Sequence, residues 1–305
     1  MEKERYNHLN KYLKEKFGER TLKICIDAGF TCPNRDGKIS SGGCIFCSEK
    51  GSGEHIKSQN IKEQIQNHLN SYRGKRANKF IAYYQNFTNT YDSIENLKEK
   101  YDSCLIDSRI VALAIATRPD CITDDIAKLI ASYKEKLDVF VELGLQTSSD
   151  TTAKIINRGY ESKVFTKAVN ILNKYNIEIV THIMVGLPGE NINNIKNTVK
   201  FLNNHNIQGL KIHSCYIVKN TKLAKLYEDG LYSPITLDEY LESASYILTH
   251  INPEIIIHKV SGDAPKDLLI APSWNSHKKW IMNGLDKFLK ENNLYQGMYY
   301  NKKQN

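Results

Sequence analysis

Short β-branched runs alternating with amphipathic helical windows predict an α/β fold, built from repeated βα units around a parallel sheet. The runs read as six strands: Leu22 to Asp27, Lys79 to Tyr84, Ile110 to Thr117, Asp138 to Gln146, Glu178 to Gly186 and Gly209 to Ile217. Each has the length and the Val, Ile, Thr and aromatic content that suit a pleated strand. Between them, Ile61 to Arg73, Ser93 to Ser103, Asp124 to Lys136, Lys163 to Tyr175 and Ile192 to His205 repeat apolar residues at spacings of three and four, as helices covering a sheet do. Thr123, followed by Asp124 and Asp125, offers a hydroxyl cap and early carboxylates for a helix start. Pro234 marks a boundary. Beyond it a helix from Leu237 to Leu248, a β-like run from Ile255 to Val260 and a last helix around Trp280 to Lys290 form a C-terminal extension. The organisation expected is a charged N-terminal segment over 1–20, a main βα domain over 21–235 and the extension over 236–305.

At 305 residues the chain can bury one sizeable core. Its start, MEKERYNHLNKYLKEKFGER, is charged throughout and holds no apolar stretch fit for a signal peptide or a membrane span. A cytoplasmic protein without membrane contact is expected. Seven cysteines, an odd number in a chain of this size, argue against a disulfide scaffold and leave metal or redox chemistry for those that cluster. Forty-two basic against thirty-four acidic residues give a formal charge of +8, which favours polyanionic partners. The charge is clumped, with Arg73, Lys75, Arg76 and Lys79 close together and Lys278, Lys279, Lys287 and Lys290 recurring near the end.

The stretch Cys32-Pro-Asn-Arg-Asp-Gly-Lys-Ile-Ser-Ser-Gly-Gly-Cys44-Ile-Phe-Cys47 begins a few residues after the first strand and is loop-like. Two thiolates three residues apart can share one metal centre, and a third can arrive from a Gly- and Ser-rich loop. Three cysteines leave one coordination position without a protein ligand. A zinc ion completed by His55 is one reading; a 4Fe-4S cluster with one open iron is the other. The place after the first strand of a βα series, where functional loops of such barrels gather, favours iron and sulfur. So does Phe46, set to cover one side of a cluster. Cys25, Cys104 and Cys121 read as small buried hydrophobes. Cys215, near the end of the sixth strand, is a candidate substrate-facing thiol.

Further segments accompany this triad: YYQNFTNTY (Tyr83 to Tyr91), VELGLQTSSD (Val141 to Asp150), IMVGLPGE (Ile183 to Glu190) and HKVSGDAPKDLLIAPSW (His258 to Trp274). Together with CPNRDG and GGCIFC they resemble the radical S-adenosylmethionine (SAM) proteins called YtqA-like or YhcC-like, distant relatives of the catalytic subunit of Elongator. The likeness runs from about Leu22 to Lys278. It implies a partial (β/α)6 radical SAM barrel, Cys32, Cys44 and Cys47 as ligands of a 4Fe-4S cluster at the open mouth, SAM as the second cofactor, and an electron donor such as flavodoxin or ferredoxin.

It also suggests roles for strand-end residues, each with a plainer alternative. Gln85, Asn86 and Thr88 stand where many relatives hold the methionine amino group of SAM, and otherwise form a polar strand-to-helix loop. Glu142 and Gln146, an even number apart on a strand, point the same way and would hydrogen-bond ribose or methionine groups; a buried Glu without a partner would be costly. Gly186 and Leu187 would let backbone approach the adenine, in a turn that Glu190 caps. Thr117 and Arg118 would face the cofactor carboxylate or a substrate phosphate, unless Arg118-Pro119 is a simple turn. Lys259, Asp263 and Lys278, with Arg118 and Cys215, are candidate substrate contacts; for the charged ones a solvated surface is the alternative.

The same resemblance, joined to the basic excess, points to tRNA: conversion of 5-carboxymethylaminomethyluridine, or its 2-thio form, at the wobble position to the 5-aminomethyl form. Tyr295, Tyr299 and Tyr300 near the basic tail would stack on RNA, or else pack as part of the last helix. A radical SAM enzyme of a small molecule or peptide, and a zinc-stabilised RNA-binding module without catalysis, are the competing readings.

Overall fold

The computed structural model describes residues 4–51, 60–262 and 264–301. In chain order these form α1 (Leu9–Phe17), β1 (Thr21–Ile26), α2 (Ile61–Asn70), β2 (Lys79–Tyr84), α3 (Ile94–Asp102), β3 (Ile110–Thr117), α4 (Asp124–Ser132), β4 (Asp138–Gln146), α5 (Asp150–Ile155) and α6 (Ser162–Lys174). There follow β5 (Glu178–Val185), α7 (Ile192–Asn203), β6 (Gly209–Ser214), β7 (Ile217–Val218), α8 (Lys222–Glu228), α9 (Leu237–His250), β8 (Ile256–Lys259), β9 (Leu269–Ala271) and α10 (Lys278–Glu291).

Seven strands pair in the order β1-β2-β3-β4-β5-β6-β8, every neighbour parallel, in a curled half-barrel. The six predicted strands are present in sequence order. The seventh comes from the C-terminal extension, whose β8 docks beside β6 while Tyr240, Leu241, Ala244 and Leu248 of α9 and Ile281, Leu285 and Leu289 of α10 enter the main core. Side chains of the outer face, among them Ile24, Ile26, Phe80, Ala82, Leu113, Ile115, Val141, Leu143, Ile179, Ile183 and Ile212, pack under the helices. This burial of apolar surface is the main force holding the layers together.

Helix starts follow capping chemistry. Thr123 Oγ1 accepts from Ile126 N at 3.3 Å, as the sequence predicts, and Thr236 and Glu239 form a reciprocal capping box. Glu190 does not cap α7; Asn191 and Asn194 do, and Glu190 instead accepts from the Thr147 hydroxyl.

The charged N-terminal segment holds an element that charge alone concealed. Leu9, Tyr12, Leu13 and Phe17 lie on one stripe of α1, and this stripe packs with Ile81, Tyr83, Ala112, Ala114, Ala116, Phe140 and Val180 on the concave side of the sheet. The helix reaches both edge strands, β1 and β8, so it plugs the half-barrel from within. At the far end of the chain, the Gln296 amide donates to Ile255 O at 2.7 Å and Gly297 N to Leu248 O at 3.0 Å. These contacts hold the tail against the loop that enters β8, at the N-terminal ends of the strands. Tyr295 and Tyr299 are thus half-exposed on the side opposite the strand C-termini, away from the cysteine loop.

Candidate active site

Past the C-terminal end of β1 the cysteine loop folds on its own backbone. Cys32 O accepts from Arg35 N at 2.8 Å and Asp36 N at 3.1 Å, and Cys47 N donates to Cys44 O at 3.0 Å. Gly42 and Gly43, both at positive φ, reverse the chain ahead of Cys44, a conformation that disfavours side chains. The fully buried Asn34 ties the loop to the turn after α5: its amide donates to Asn157 O at 2.7 Å and approaches Cys44 Sγ at 3.7 Å, while Asn157 donates to Gly43 O at 2.8 Å. The Arg35 guanidinium gathers the carbonyls of Cys47, Ser48 and Glu49.

Cys32, Cys44 and Cys47 open on one cavity of about 420 Å³. Burial and the neighbouring thiols push the Cys44 thiol up to about 12. Among the described residues no three His, Cys, Asp or Glu side chains converge on a point that a single metal ion could occupy. His55, the fourth ligand of a zinc reading, lies outside the described residues. Three thiols set around a cavity at the strand C-termini are a donor set that fits an iron–sulfur cluster with an open iron. The Thr88 hydroxyl on the same wall is buried with no partner among the described residues, as a group awaiting a ligand would be.

The cavity also collects Phe46, Gln85, Thr88, Thr117, Arg118, Glu142, Gln146, Lys259 and Lys278. Thr117 Oγ1 lies 2.6 Å from Thr90 Oγ1, and Arg118 makes a paired contact with Asp120 at 2.9 and 2.7 Å while lying over the Tyr160 ring. Gln146 has φ +60, which turns its side chain over Gly144. That turn is held by Arg158, a fully buried guanidinium donating to the carbonyls of Leu145 (2.5 Å), Thr147 (2.6 Å) and Tyr160 (2.9 and 3.0 Å). Arg158→Met, which strands these acceptors, is expected to cost about 3 kcal/mol of stability. Urea denaturation checks this, and a loss under about 0.5 kcal/mol would remove Arg158 as the clamp.

Other predicted residues lie elsewhere. Asn86 turns away from the cavity to Asp27 Oδ2 at 2.8 Å. Gly186 is not a cavity-lining residue; its carbonyl accepts from Tyr232 OH at 2.6 Å. Leu187 and Cys215 are buried with Ile45, Ile156, Ile217 and Leu223 in a separate apolar cluster. Cys215 is therefore not substrate-facing: its backbone joins the β5 end and its side chain falls on the apolar side, where burial pushes the thiol up to about 12. Asp263 lies outside the described residues. Conversely Cys25, read as a core thiol, lines the cavity.

The deep end of the cavity is a polar cluster that the sequence reading missed. Glu142, fully buried, accepts from Lys23 Nζ at 2.8 Å, from Lys211 Nζ, and from His182 Nε2 at 2.9 Å. Its two oxygens are thus engaged within the protein rather than left for the cofactor. Lys211 also donates to Tyr83 OH at 3.1 Å, and both ammonium groups lie 4.7 Å from the centre of the Tyr83 ring. Despite its burial, Glu142 is held well below the usual carboxylate range by Lys211, Lys23 and His182. Burial pushes His182 down to about 4 and His213 well below its ordinary value. A signal was available in two of the strands: Lys23 and Cys25 on β1, and Lys211 and His213 on β6, alternate with apolar residues, so one face of each is polar.

Residues 32–202 match the Radical SAM superfamily and residues 207–291 the Radical_SAM C-terminal domain. The uncharacterized protein YtqA of Bacillus subtilis is 38% identical over 299 residues, covering 97% of this chain and 93% of that one. Protein YhcC of Escherichia coli is 33% identical over 284 residues, 92% and 91% of the two. A tRNA uridine(34) acetyltransferase of Methanocaldococcus infernus is 27% identical over 166 residues, 53% of this chain and 30% of that protein. The solved structure of Methanocaldococcus infernus Elp3 with an N-terminal deletion superposes with a TM-score of 0.67 at 18% identity, over 90% of this chain and 64% of that one, and shares its fold. Among the described residues no helix is long and apolar enough to cross a membrane. On these matches the chain belongs to the radical SAM superfamily, in the group of YtqA and YhcC, whose cofactors are a 4Fe-4S cluster and S-adenosylmethionine.

Proposed function

We propose that this radical SAM enzyme acts on tRNA, converting 5-carboxymethylaminomethyluridine at the wobble position, with or without a 2-thio group, to 5-aminomethyluridine. The observation that carries the reading is that the cysteine triad shares its cavity with Lys23, Arg35, Lys211, Lys259 and Lys278, and with Arg118 and Arg158 that Asp120 and Asp150 partly offset, against the single carboxylate of Glu142 among the described lining residues. Such walls suit an anionic substrate. The likeness to a tRNA uridine(34) acetyltransferase supports uridine as its base. Beside Lys278 at the cavity, the exposed Trp280 stacks on His277 at 4.0 Å, a ring pair suited to an unstacked base.

In this reading Cys32, Cys44 and Cys47 hold the cluster, Phe46 shields it, and Gln85, Thr88, Thr117 and Gln146 are the wall groups available to SAM. When bound, the two cofactors supply a 5′-deoxyadenosyl radical, with flavodoxin or ferredoxin as the priming reductant. The methylene between the nitrogen and the carboxylate loses a hydrogen atom and then an electron, giving an imine that water splits. The balance is closed: substrate, water and SAM yield the primary amine, glyoxylate, methionine, 5′-deoxyadenosine and a proton. The two electrons lost by the substrate are those taken up in breaking the sulfonium S–C bond. The protein's part is to orient that methylene and keep bulk water away.

Anaerobically reconstituted enzyme given tRNA from a strain lacking it, SAM and dithionite is expected to release glyoxylate and 5′-deoxyadenosine in equal amounts, as 5-aminomethyl nucleosides appear by mass spectrometry. Normal aminomethyl-type wobble uridines in the deletion strain, or 5′-deoxyadenosine without any two-carbon product, would overturn the reading.

A further inference from the structure

Three lysines meet at the deep end of the cavity: Lys23 from β1, Lys211 from β6 and Lys259 from β8. Among the described lining residues Glu142 is the one carboxylate, and it binds Lys23 and Lys211. Lys211 is 6% exposed and Glu142 1%, so these two are shielded from bulk water, in a setting where unbalanced charge is costly. The other titratable groups facing it do not supply an anion. His182 on β5, His213 on β6 and His258 on β8 are all driven toward their neutral forms by burial, and burial likewise raises the Cys25 thiol on β1. Two buried ring nitrogens, His213 Nε2 and His258 Nδ1, have no partner among the described residues.

We propose that this deep end is an anion subsite, in which Lys23 and Lys211 receive a carboxylate of the substrate. Glu142 has a positioning role: it holds the two ammonium groups side by side at Tyr83 and offsets one of their charges, leaving the surplus for the ligand. Resting on the wobble-uridine reading, the carboxylate is that of the aminoacetate arm. A planar carboxylate spanning two fixed ammonium groups would place the adjoining methylene above them, in the same cavity as the cysteines. The 5-aminomethyl product lacks the carboxylate, so the subsite holds substrate more tightly than product.

Its electrostatics give a second signature. With no anion bound, Lys211 is lowered to about 7, mainly by burial and by Lys23, with Lys259 adding to it and Glu142 opposing. An arriving carboxylate raises it again. Binding should therefore take up a proton near neutral pH and weaken as pH rises above about 7.

The test measures anaerobic binding of two anticodon stem-loops, one with 5-carboxymethylaminomethyluridine and one with 5-aminomethyluridine, to the reconstituted enzyme and to Lys23→Gln. Lys23 is the more exposed lysine of the pair, and circular dichroism with thermal melting checks that the variant folds. Wild type is expected to prefer the carboxylate-bearing loop by about tenfold, the scale of one or two charge-assisted hydrogen bonds. Lys23→Gln should lose that preference while its affinities for the aminomethyl loop and for SAM stay unchanged. Equal preference in variant and wild type would overturn the subsite. A fall in SAM affinity with the loop preference intact would assign the lysines to the SAM carboxylate and overturn the substrate assignment. A second measurement does not depend on any variant: wild type binding the two loops with the same proton uptake also overturns it. Conversion by wild type with the preference untouched in Lys23→Gln keeps the reaction and removes the subsite; lost preference in an enzyme that converts neither tRNA does the reverse.

Discussion

Alanine in place of Cys32, Cys44 or Cys47 is expected to give colourless protein that retains too little iron and sulfide for a cluster and forms 5′-deoxyadenosine at least ~10³-fold more slowly. The size of the effect follows from the count of ligands. With three protein thiols and one iron left open for SAM, each cysteine is irreplaceable by water or by a neighbour. The fold should not suffer, because the loop is held by backbone bonds at Cys32 O and Cys44 O, by Asn34 and Asn157, and by the Arg35 guanidinium, none of which uses a thiol donor. Apo protein of each variant should therefore melt with wild-type apo protein. Cys25→Ala is the control. Its thiol also opens on the cavity, yet it sits on β1 rather than in the loop, and iron content should stay at the wild-type level. Wild-type iron and turnover in any of the three loop variants would refute their role.

Glu142→Ala is expected to produce the largest loss of stability of any single substitution considered. Removing the buried carboxylate strands Lys211 and Lys23 beside each other and leaves His182 without its acceptor. Breaking one partner of a buried ionic group typically costs about 3–5 kcal/mol, a large part of the 5–15 kcal/mol that usually holds a domain together. The pH dependence has a definite sign. The folded-state pKa of Glu142 is depressed well below 4.5, so its contribution is fully present above the unfolded value and is lost as pH falls through the folded one. Wild type should lose this contribution only in strong acid, whereas Glu142→Ala lacks it at pH 7. Equilibrium denaturation at pH 7 measures it, and a loss below about 1 kcal/mol would mean that the cluster is hydrated rather than buried.

Much of the architecture was legible because it rests on local rules. Strand runs such as Ile110–Thr117 and cap signals such as Thr123 act over a few residues, and the structure contains them at nearly the expected places. The N-terminal helix was legible in principle too. Its apolar stripe Leu9, Tyr12, Leu13 and Phe17 has helical spacing, but the many charges around it masked a face that needed a partner. The partner is the inside of a sheet curled by long-range strand pairing, which no local pattern announces.

The candidate site divides in the same way. By itself the amino-acid sequence determined the parallel βα frame, the three-cysteine loop and the radical SAM kinship, because ligand type and spacing along a loop are one-dimensional facts. Only the tertiary structure decided which residues meet in the cavity. A period of two says that Lys23 and Cys25 share a face, or that Cys215 lies near a strand end, but not whether that face turns to the cavity or to packed side chains. The curl of the sheet and the cover of its helices make that choice. They bring Lys23, Glu142 and Lys211, from three strands far apart in the chain, to one buried point, set Cys25 on the cavity wall, and send Cys215 into the apolar cluster beside Leu187.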